Sequence, residues 1–261
     1  NQVSNPPIAE NTLRVHFKTL PSDDLASLGL WTWEDVEHPS ESWPNGAINL
    51  SNLKHDAYGY YIDVKLVNGN PHKVGLLINN TSGENVSGDK VVNLISQDMN
   101  EVWFDEDYNA IYYAPLEKGK IRINYYRSDG NYKNLAIWLW GSADSSITSR
   151  LGPWPHGVDF KNFGKYGAYI DASLADFNEL GFLLLDESKE GDAAKIQPDN
   201  YTFKDLANQT QIFLKDEDKT IYTNPYFVST ICLTSAQQIS QSELEAIISN
   251  LADADKTELL E

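Results

Sequence analysis

Cysteine is almost missing from this chain. Cys232 is the one thiol in 261 residues, which excludes an internal disulfide and any cysteine-built zinc cluster without fixing a compartment. Histidine is scarce as well: His16, His38, His55, His72 and His156 stand singly, so a metal cage is not expected, nor is any cofactor. Positive charge is short, with 20 Lys+Arg against 38 Asp+Glu, a net charge of −18 and a pI near 4.5. Such a field repels phosphate backbones and anionic lipid surfaces, which argues against nucleic-acid and membrane-surface partners and leaves a neutral ligand open. No apolar run approaches the roughly eighteen residues of a membrane span, and the N-terminus has no basic segment followed by an apolar one. The phosphate-loop, dinucleotide, zinc-protease and nucleophile-elbow patterns are all missing.

With 41% hydrophobic and 22% charged residues the composition is that of a folded globular protein. The most informative stretch is Leu30-Trp31-Thr32-Trp33, which returns as Ile137-Trp138-Leu139-Trp140. On a strand, side chains two apart share a face, about 6.7 Å from one another, so each Trp pair makes an apolar platform suited to a sugar ring. Ile137 and Leu139 feed the core from the opposite face. The two indoles therefore belong to a surface that is either covered by protein or reserved for a ligand.

The duplication extends over most of the chain. Leu13 returns as Ile121 (121 − 13 = 108), Trp31 as Trp138 (107), Trp33 as Trp140 (107) and Trp43 as Trp154 (111). Tyr58-Gly59 with Tyr61-Ile62-Asp63 returns as Tyr166-Gly167 with Tyr169-Ile170-Asp171 (108), and Gly75-Leu76-Leu77 as Gly181-Phe182-Leu183 (106). Trp103-Phe104 and Ile111-Tyr112 return as Phe213-Leu214 and Ile221-Tyr222, each 110 apart. A period of this length is a whole domain, so the chain reads as a leader (1–9), a first module (10–116), a second (117–225) and a tail (226–261). Core positions of diverged copies drift, as Trp103 against Phe213 does, yet the platform and loop tryptophans are identical in both copies. A ligand that demands a flat ring explains that identity better than packing does.

Each module carries about seven short strand signals separated by turn-rich gaps, the pattern of a small all-β sandwich. In the first they fall at Thr12 to Phe17, residues 29–33, Tyr58 to Val67, Lys73 to Ile78, Val91 to Ile95, Glu101 to Phe104 and Ala110 to Tyr113, with residues 34–56 expected as a loop. Within that loop Pro44 restricts Trp43 to extended geometry. In the tail, Ser240 to Glu243 resembles a capping box, and Leu244, Ile247, Ile248 and Leu251 form one stripe at helical spacing, the mark of a short helix. Neither end is punctuated, so the chain reads as a piece cut from something longer. Asp105-Glu106-Asp107-Tyr108-Asn109 opens like a calcium loop, but Ala110 stands where glycine is needed and Leu116 where the bidentate Glu belongs; an acidic hairpin turn is expected instead. No carboxylate pair is marked out for glycoside hydrolysis, and modules of this size offer open faces more readily than closed pockets.

Polar segments at matching places, Asn85-Val86-Ser87-Gly88-Asp89-Lys90 and Lys195-Ile196-Gln197-Pro198-Asp199-Asn200 (199 − 89 = 110), are candidates for hydrogen bonds at the platform edge. Together with the Leu-Trp-x-Trp stretch, the Trp-Pro loop and Tyr-Gly-x-Tyr-Ile-Asp, they resemble the family-41 carbohydrate-binding modules found at the front of bacterial pullulanases. The tandem arrangement and acidic balance are similar to those of streptococcal cell-surface pullulanases. The resemblance implies an immunoglobulin-like sandwich for each module, and glucose stacking on Trp31 with Trp33 and on Trp138 with Trp140. It also aligns Trp43 and Trp154 with the family's Trp-Pro loop, and Lys195 and Asp199 with a lysine and an aspartate that bond sugar hydroxyls. In the first module Asp89 holds the aspartate position, Asn85 stands nearest the lysine position and Lys90 follows.

The expected function is non-catalytic binding of α-1,4-linked glucans (glycogen, amylopectin, pullulan, maltooligosaccharides) by a monomer that delivers a linked hydrolase, secreted or attached to the cell surface, to its substrate. Two other readings stay open: a protein-adhesion tandem that uses exposed tryptophan as partner anchors, and a fragment that is itself hydrolytic.

Overall fold

A computed structural model describes residues 5–94 and 99–226, so the expected tail helix and Cys232 lie outside the described residues. The first repeat contributes β1 (Thr12–Phe17), β2 (Leu28–Glu34), β3 (Ile48–Asn49), β4 (Lys54–His55), β5 (Tyr60–Lys65), β6 (Lys73–Asn80), β7 (Lys90–Asn93), β8 (Glu101–Phe104) and β9 (Ala110–Ile111). The second contributes β10 (Lys120–Tyr126), β11 (Leu135–Gly141), β12 (Val158–Asp159), β13 (Asn162–Gly164), β14 (Gly167–Ser173), β15 (Leu180–Asp186), β16 (Tyr201–Phe203) and β17 (Gln211–Lys215).

Each repeat folds into two facing sheets. The first pairs the order β4-β5-β1-β8-β9 with β3-β2-β6-β7, and the second pairs β13-β14-β10-β17 with β12-β11-β15-β16. Neighbours run antiparallel except β1 with β8 and β10 with β17, which are parallel in both copies. Strand alternation supplies the core between the sheets. In the first repeat Leu13, Val15 and Phe17 of one sheet and Leu30, Val74, Leu76 and Ile78 of the other are all fully buried. In the second, Ile121, Ile123, Ile137, Leu139, Phe182, Leu184, Ile212 and Leu214 belong to one cluster. The tandem sandwich expected from the strand pattern is the observed architecture.

Local departures have local causes. The stretch 34–56 is not wholly loop: β3 and β4 lie within it, and a 3₁₀ turn at Leu50–Asn52 buries Leu50 completely, drawing the segment into the core. The strand expected from Tyr58 begins only at Tyr60, because Asp56 Oδ1 accepts the Tyr58 and Gly59 amides in a turn. The acidic segment 105–109 is the turn between β8 and β9, closed by Asp105 Oδ1 accepting the amides of Asp107 and Asn109.

The two repeats dock within one compact unit, Asn1–Pro225. Tyr113, 2% exposed, donates its hydroxyl to Gln209 Oε1 (2.8 Å) and accepts the Thr210 amide (3.1 Å). Gln211 Nε2 donates to the Ala114 carbonyl (2.8 Å), and the Leu116 amide donates to Thr210 Oγ1 (3.0 Å). Phe213 receives Tyr113 and Tyr166 at 5.7 and 5.2 Å between ring centres. These part-buried hydrogen bonds join the two repeats at points beyond the connecting chain.

An arginine–aspartate fork repeats in both copies with different burial. Arg14 reaches Asp63 at 2.6 and 2.8 Å, and Arg122 reaches Asp171 at the same two distances. Leader residue Pro6 accepts a further hydrogen bond from Arg14, whose side chain is 2% exposed, whereas that of Arg122 is 28% exposed. Removing one partner of a buried pair strands a charge, while an exposed pair is worth little. The Asp63 carboxylate is itself 32% exposed and partly screened, so Asp63→Asn is expected to cost about 2 kcal/mol in urea unfolding, and Asp171→Asn about 1 kcal/mol or less. The hydrogen bonds from Arg14 hold the Asp63 carboxyl below its ordinary value. Its stabilisation is thus present above the unfolded value near 3.9 and is lost as pH falls through the lower folded one. Asp63→Asn should flatten that acid limb of the stability curve.

Candidate carbohydrate-binding faces

The site in each repeat begins with the alternation of its central strand. In β2 the side chains of Leu28, Leu30 and Thr32 point to the core and are buried, which turns Trp31 and Trp33 to the outer face, half-buried. In β11 Leu135, Ile137 and Leu139 face inward, and Trp138 and Trp140 face outward over an apolar patch of Ala136, Leu183, Leu185 and Ala194. The indoles are neither packed inside the sandwich nor free of it.

The neighbouring strand decides what lies beneath each ring. Leu77 of β6 stands across from Trp31, and Leu183 of β15 across from Trp138; both leucines are buried. Across from the second indole of each pair comes glycine, Gly75 for Trp33 and Gly181 for Trp140.

A loop tryptophan completes each face. Trp43 meets Trp31 with ring centres 4.9 Å apart and planes at 69°, and Trp154 meets Trp138 at 5.3 Å and 71°. The bonds Trp43-Pro44 and Trp154-Pro155 are both cis, a feature the extended reading of this loop did not include. The first loop is tied back to the sandwich at two points. Ser40 exchanges hydrogen bonds with the Thr32 backbone along the stretch of β2 that β3 leaves unpaired, and Asn79 Nδ2 donates to the Pro44 carbonyl (3.2 Å). In the second, Glu187 Oε1 accepts the Gly157 amide at 2.8 Å. Trp43 and Trp154 remain 45% and 40% exposed, so each indole offers an open flank to solvent.

The polar residues sit at one edge of the face. Isolated bridges place Asn85 across from Asn79 and Lys195 across from Leu185, equivalent positions two residues along from Leu77 and Leu183. Asn85 therefore stands where Lys195 stands in the other copy. Lys195 Nζ lies 5.7 Å from the Trp154 ring centre and 3.1 Å from Asp192. The Asn85 side chain is turned into its own loop, donating to Asp89 Oδ1 (2.8 Å) and accepting the Gly88 amide (2.8 Å). Asp199 pairs with Lys219 at 2.5 Å, and Lys90 opens β7 across from Leu76. The indoles thus fall on two separate faces, one per repeat, with Asn85 and Lys195 at equivalent edge positions, whereas Lys90, paired with the core residue Leu76, belongs to the other side of its sheet, and Asp89 and Asp199 are engaged with Asn85 and Lys219.

Sequence reasoning missed the glycines under the second indoles and the anchors Ser40, Asn79 and Glu187. The glycines did leave a trace, since Gly75 and Gly181 recur inside strands, where glycine is unfavourable and often marks close approach. Among the described residues no group of three or more His, Cys, Asp or Glu side chains is placed to hold a metal ion. A hollow of about 690 Å³ lies elsewhere, lined by His16, Asp56, Tyr58 and Trp103. The indole faces are open surfaces that can bind and orient a ligand without excluding water from it.

Known proteins share this arrangement. A model of the bacterial pullanase-associated domain matches residues 11–113 and again 119–223. Pullulanase A of Streptococcus pneumoniae is 49% identical over 255 residues, which are 97% of this chain and 20% of that protein, so the chain spans only a fifth of the relative's length. A solved structure of family 41 carbohydrate-binding modules from streptococcal virulence factors, described as recognising α-glucan, is 49% identical with a TM-score of 0.70, covering 84% of this chain and 100% of that one. A multi-modular glycogen-degrading pneumococcal virulence factor, solved as a product complex, is 51% identical with a TM-score of 0.76 over 88% of this chain and 23% of that one. With two matches that between them take in both sandwiches and both indole faces, the chain belongs to the bacterial pullanase-associated domain family as a tandem pair of family-41 carbohydrate-binding modules.

Proposed function

We propose that this chain binds α-1,4-linked glucans at two faces, Trp31, Trp33 and Trp43 in a module spanning 10–116 and Trp138, Trp140 and Trp154 in one spanning 117–225. The observation that carries the reading is the repeated indole trio, half-exposed on an outer sheet face in both copies. Glucose presents its C–H bonds on the ring faces and its hydroxyls around the rim. Stacking on indole therefore buries apolar surface while leaving the hydroxyls for polar partners.

The angle between the rings supports an α-linked chain. A flat ribbon-like polymer needs coplanar platforms, whereas planes crossed at 69° and 71° suit a chain that turns from one residue to the next. Lys195 supplies a charged donor at the edge of the second face, and Asp199 and Asp89 supply acceptors. Because Asn85 replaces the lysine in the first module, the second face binds more tightly. The function is non-catalytic, and by the likeness to pullulanases the longer protein is a surface or secreted α-glucan hydrolase that these modules hold on its substrate. The chain works as a monomer. Docked modules on branched glycogen engage two branches at once, a gain of about 10²–10⁴ over one site where the span matches.

Calorimetric titration with maltotetraose should give two sites per chain. Trp31→Ala or Trp138→Ala alone should leave one site, and the double variant should lose binding at least a hundredfold with an unchanged melting temperature; a double variant that binds normally sinks the reading. Lys195→Ala should weaken the second site about tenfold, the worth of one hydrogen bond to a charged group, and leave the first untouched.

A further inference from the structure

The strand opposite each platform poses a question that sugar stacking alone does not answer. Glycine at the centre of a strand loses more backbone freedom on folding than any other residue and contributes no packing. Gly75 nevertheless occupies a position of β6 that is paired on both sides, with Trp33 on one and Val91 on the other. Gly181 takes the same place in β15, between Trp140 and Thr202. Neither glycine has the positive φ that would demand it on conformational grounds.

The space above them supplies the reason. A Cβ built on Gly75 would meet Trp33 Cε2, Nε1 and Cδ2 at 2.0, 2.2 and 2.3 Å, and one on Gly181 would meet Trp140 Nε1, Cε2 and Cζ2 at 2.1, 2.2 and 2.7 Å. The fused ring system of the second indole lies down on the backbone of the next strand, in the volume any other residue would fill. One pair earlier, where Leu77 and Leu183 stand across, the first indole instead meets the loop tryptophan edge-on. A glycine–leucine alternation in one strand thereby sets the attitude of both rings in the adjacent one.

Resting on the glucan reading above, we infer that Gly75 and Gly181 are positioning residues for ligand binding: each is the seat that lets Trp33 or Trp140 lie flat, and so fixes the plane on which the second sugar stacks. They do not touch the ligand. Alanine, the smallest possible intrusion, lifts the indole off the sheet and tilts it out of register with its partner, although alanine is the better strand residue of the two.

The test uses the full chain labelled with 5-fluorotryptophan, with the second face silenced by Trp138→Ala and Trp140→Ala. The Trp33 fluorine resonance is assigned by its loss in Trp33→Phe. In this background Gly75→Ala should shift that resonance and weaken maltotetraose at least tenfold, about as much as Trp33→Ala does. Combining Gly75→Ala with Trp33→Ala should weaken binding no further than Trp33→Ala alone, since no ring remains to be displaced. An unmoved Trp33 resonance with affinity within twofold overturns the inference, as does a double variant whose losses multiply. If Gly75→Ala alone impairs folding, recovery of a cooperative melt in the double variant supports the clash, and failure to recover overturns it. A silenced chain that shows no response to maltotetraose, with Trp33 intact, counts against the glucan reading instead, and a shifted Trp33 resonance in Gly75→Ala would still establish the seat.

Discussion

The two-residue period of a β-strand is the constraint from which the rest of this structure follows. Once Leu30 and Thr32, or Ile137 and Leu139, are committed to the space between two sheets, the residues between and after them have no option but the outer face. Trp31 with Trp33, and Trp138 with Trp140, are turned outward by the same packing that stabilises each sandwich. Core and indole face are two sides of one ladder, and a slip of one register would destroy both together.

Duplication preserved that ladder while other pairs diverged, and the divergence has physical sense. In the first module His16 is buried with Nε2 3.1 Å from Glu101, its Nδ1 3.1 Å from Asp56 without hydrogen-bond alignment, and its ring stacked on Trp103 at 4.9 Å. In the second the same cross-strand place is held by Asn124, which donates to Gln211 at 3.0 Å. Without an imidazole to cover, the Trp103 position becomes Phe213, whose ring serves the module junction through Tyr113 and Tyr166. A histidine between two carboxylates and a neutral amide pair thus occupy the same cross-strand place. The six indoles show no such exchange.

The junction changes what two faces can do. Hydrogen bonds through Tyr113, Gln209, Thr210 and Gln211 join the modules where a short linker would otherwise leave them free. Linked faces in general gain effective concentration for a second contact when the span of the ligand matches their separation. The two faces are not identical at their edges, where Lys195 in one copy stands in the place of Asn85 in the other.

Much of this was legible before folding because it depends on short-range order. The alternation in 12–17, 28–34 and 135–141, the recurrence of Trp43 as Trp154, and the paired polar segments at 85–90 and 195–200 are local patterns, and they carry the sandwich fold, its duplication and the candidate ligand residues. What tertiary structure alone decided joins residues far apart in the chain. The glycine seat pairs positions 33 and 75, the crossed indoles pair 138 and 154, and the equivalence of Asn85 with Lys195 appears only through their bridges to the neighbouring strand. The docking of Tyr113 against residues 209–213 is likewise invisible to any local window. Period and composition determined which side chains face outward; how those rings lie against one another was settled by backbone contacts across the sheet, where the absence of one Cβ decides the tilt of an indole.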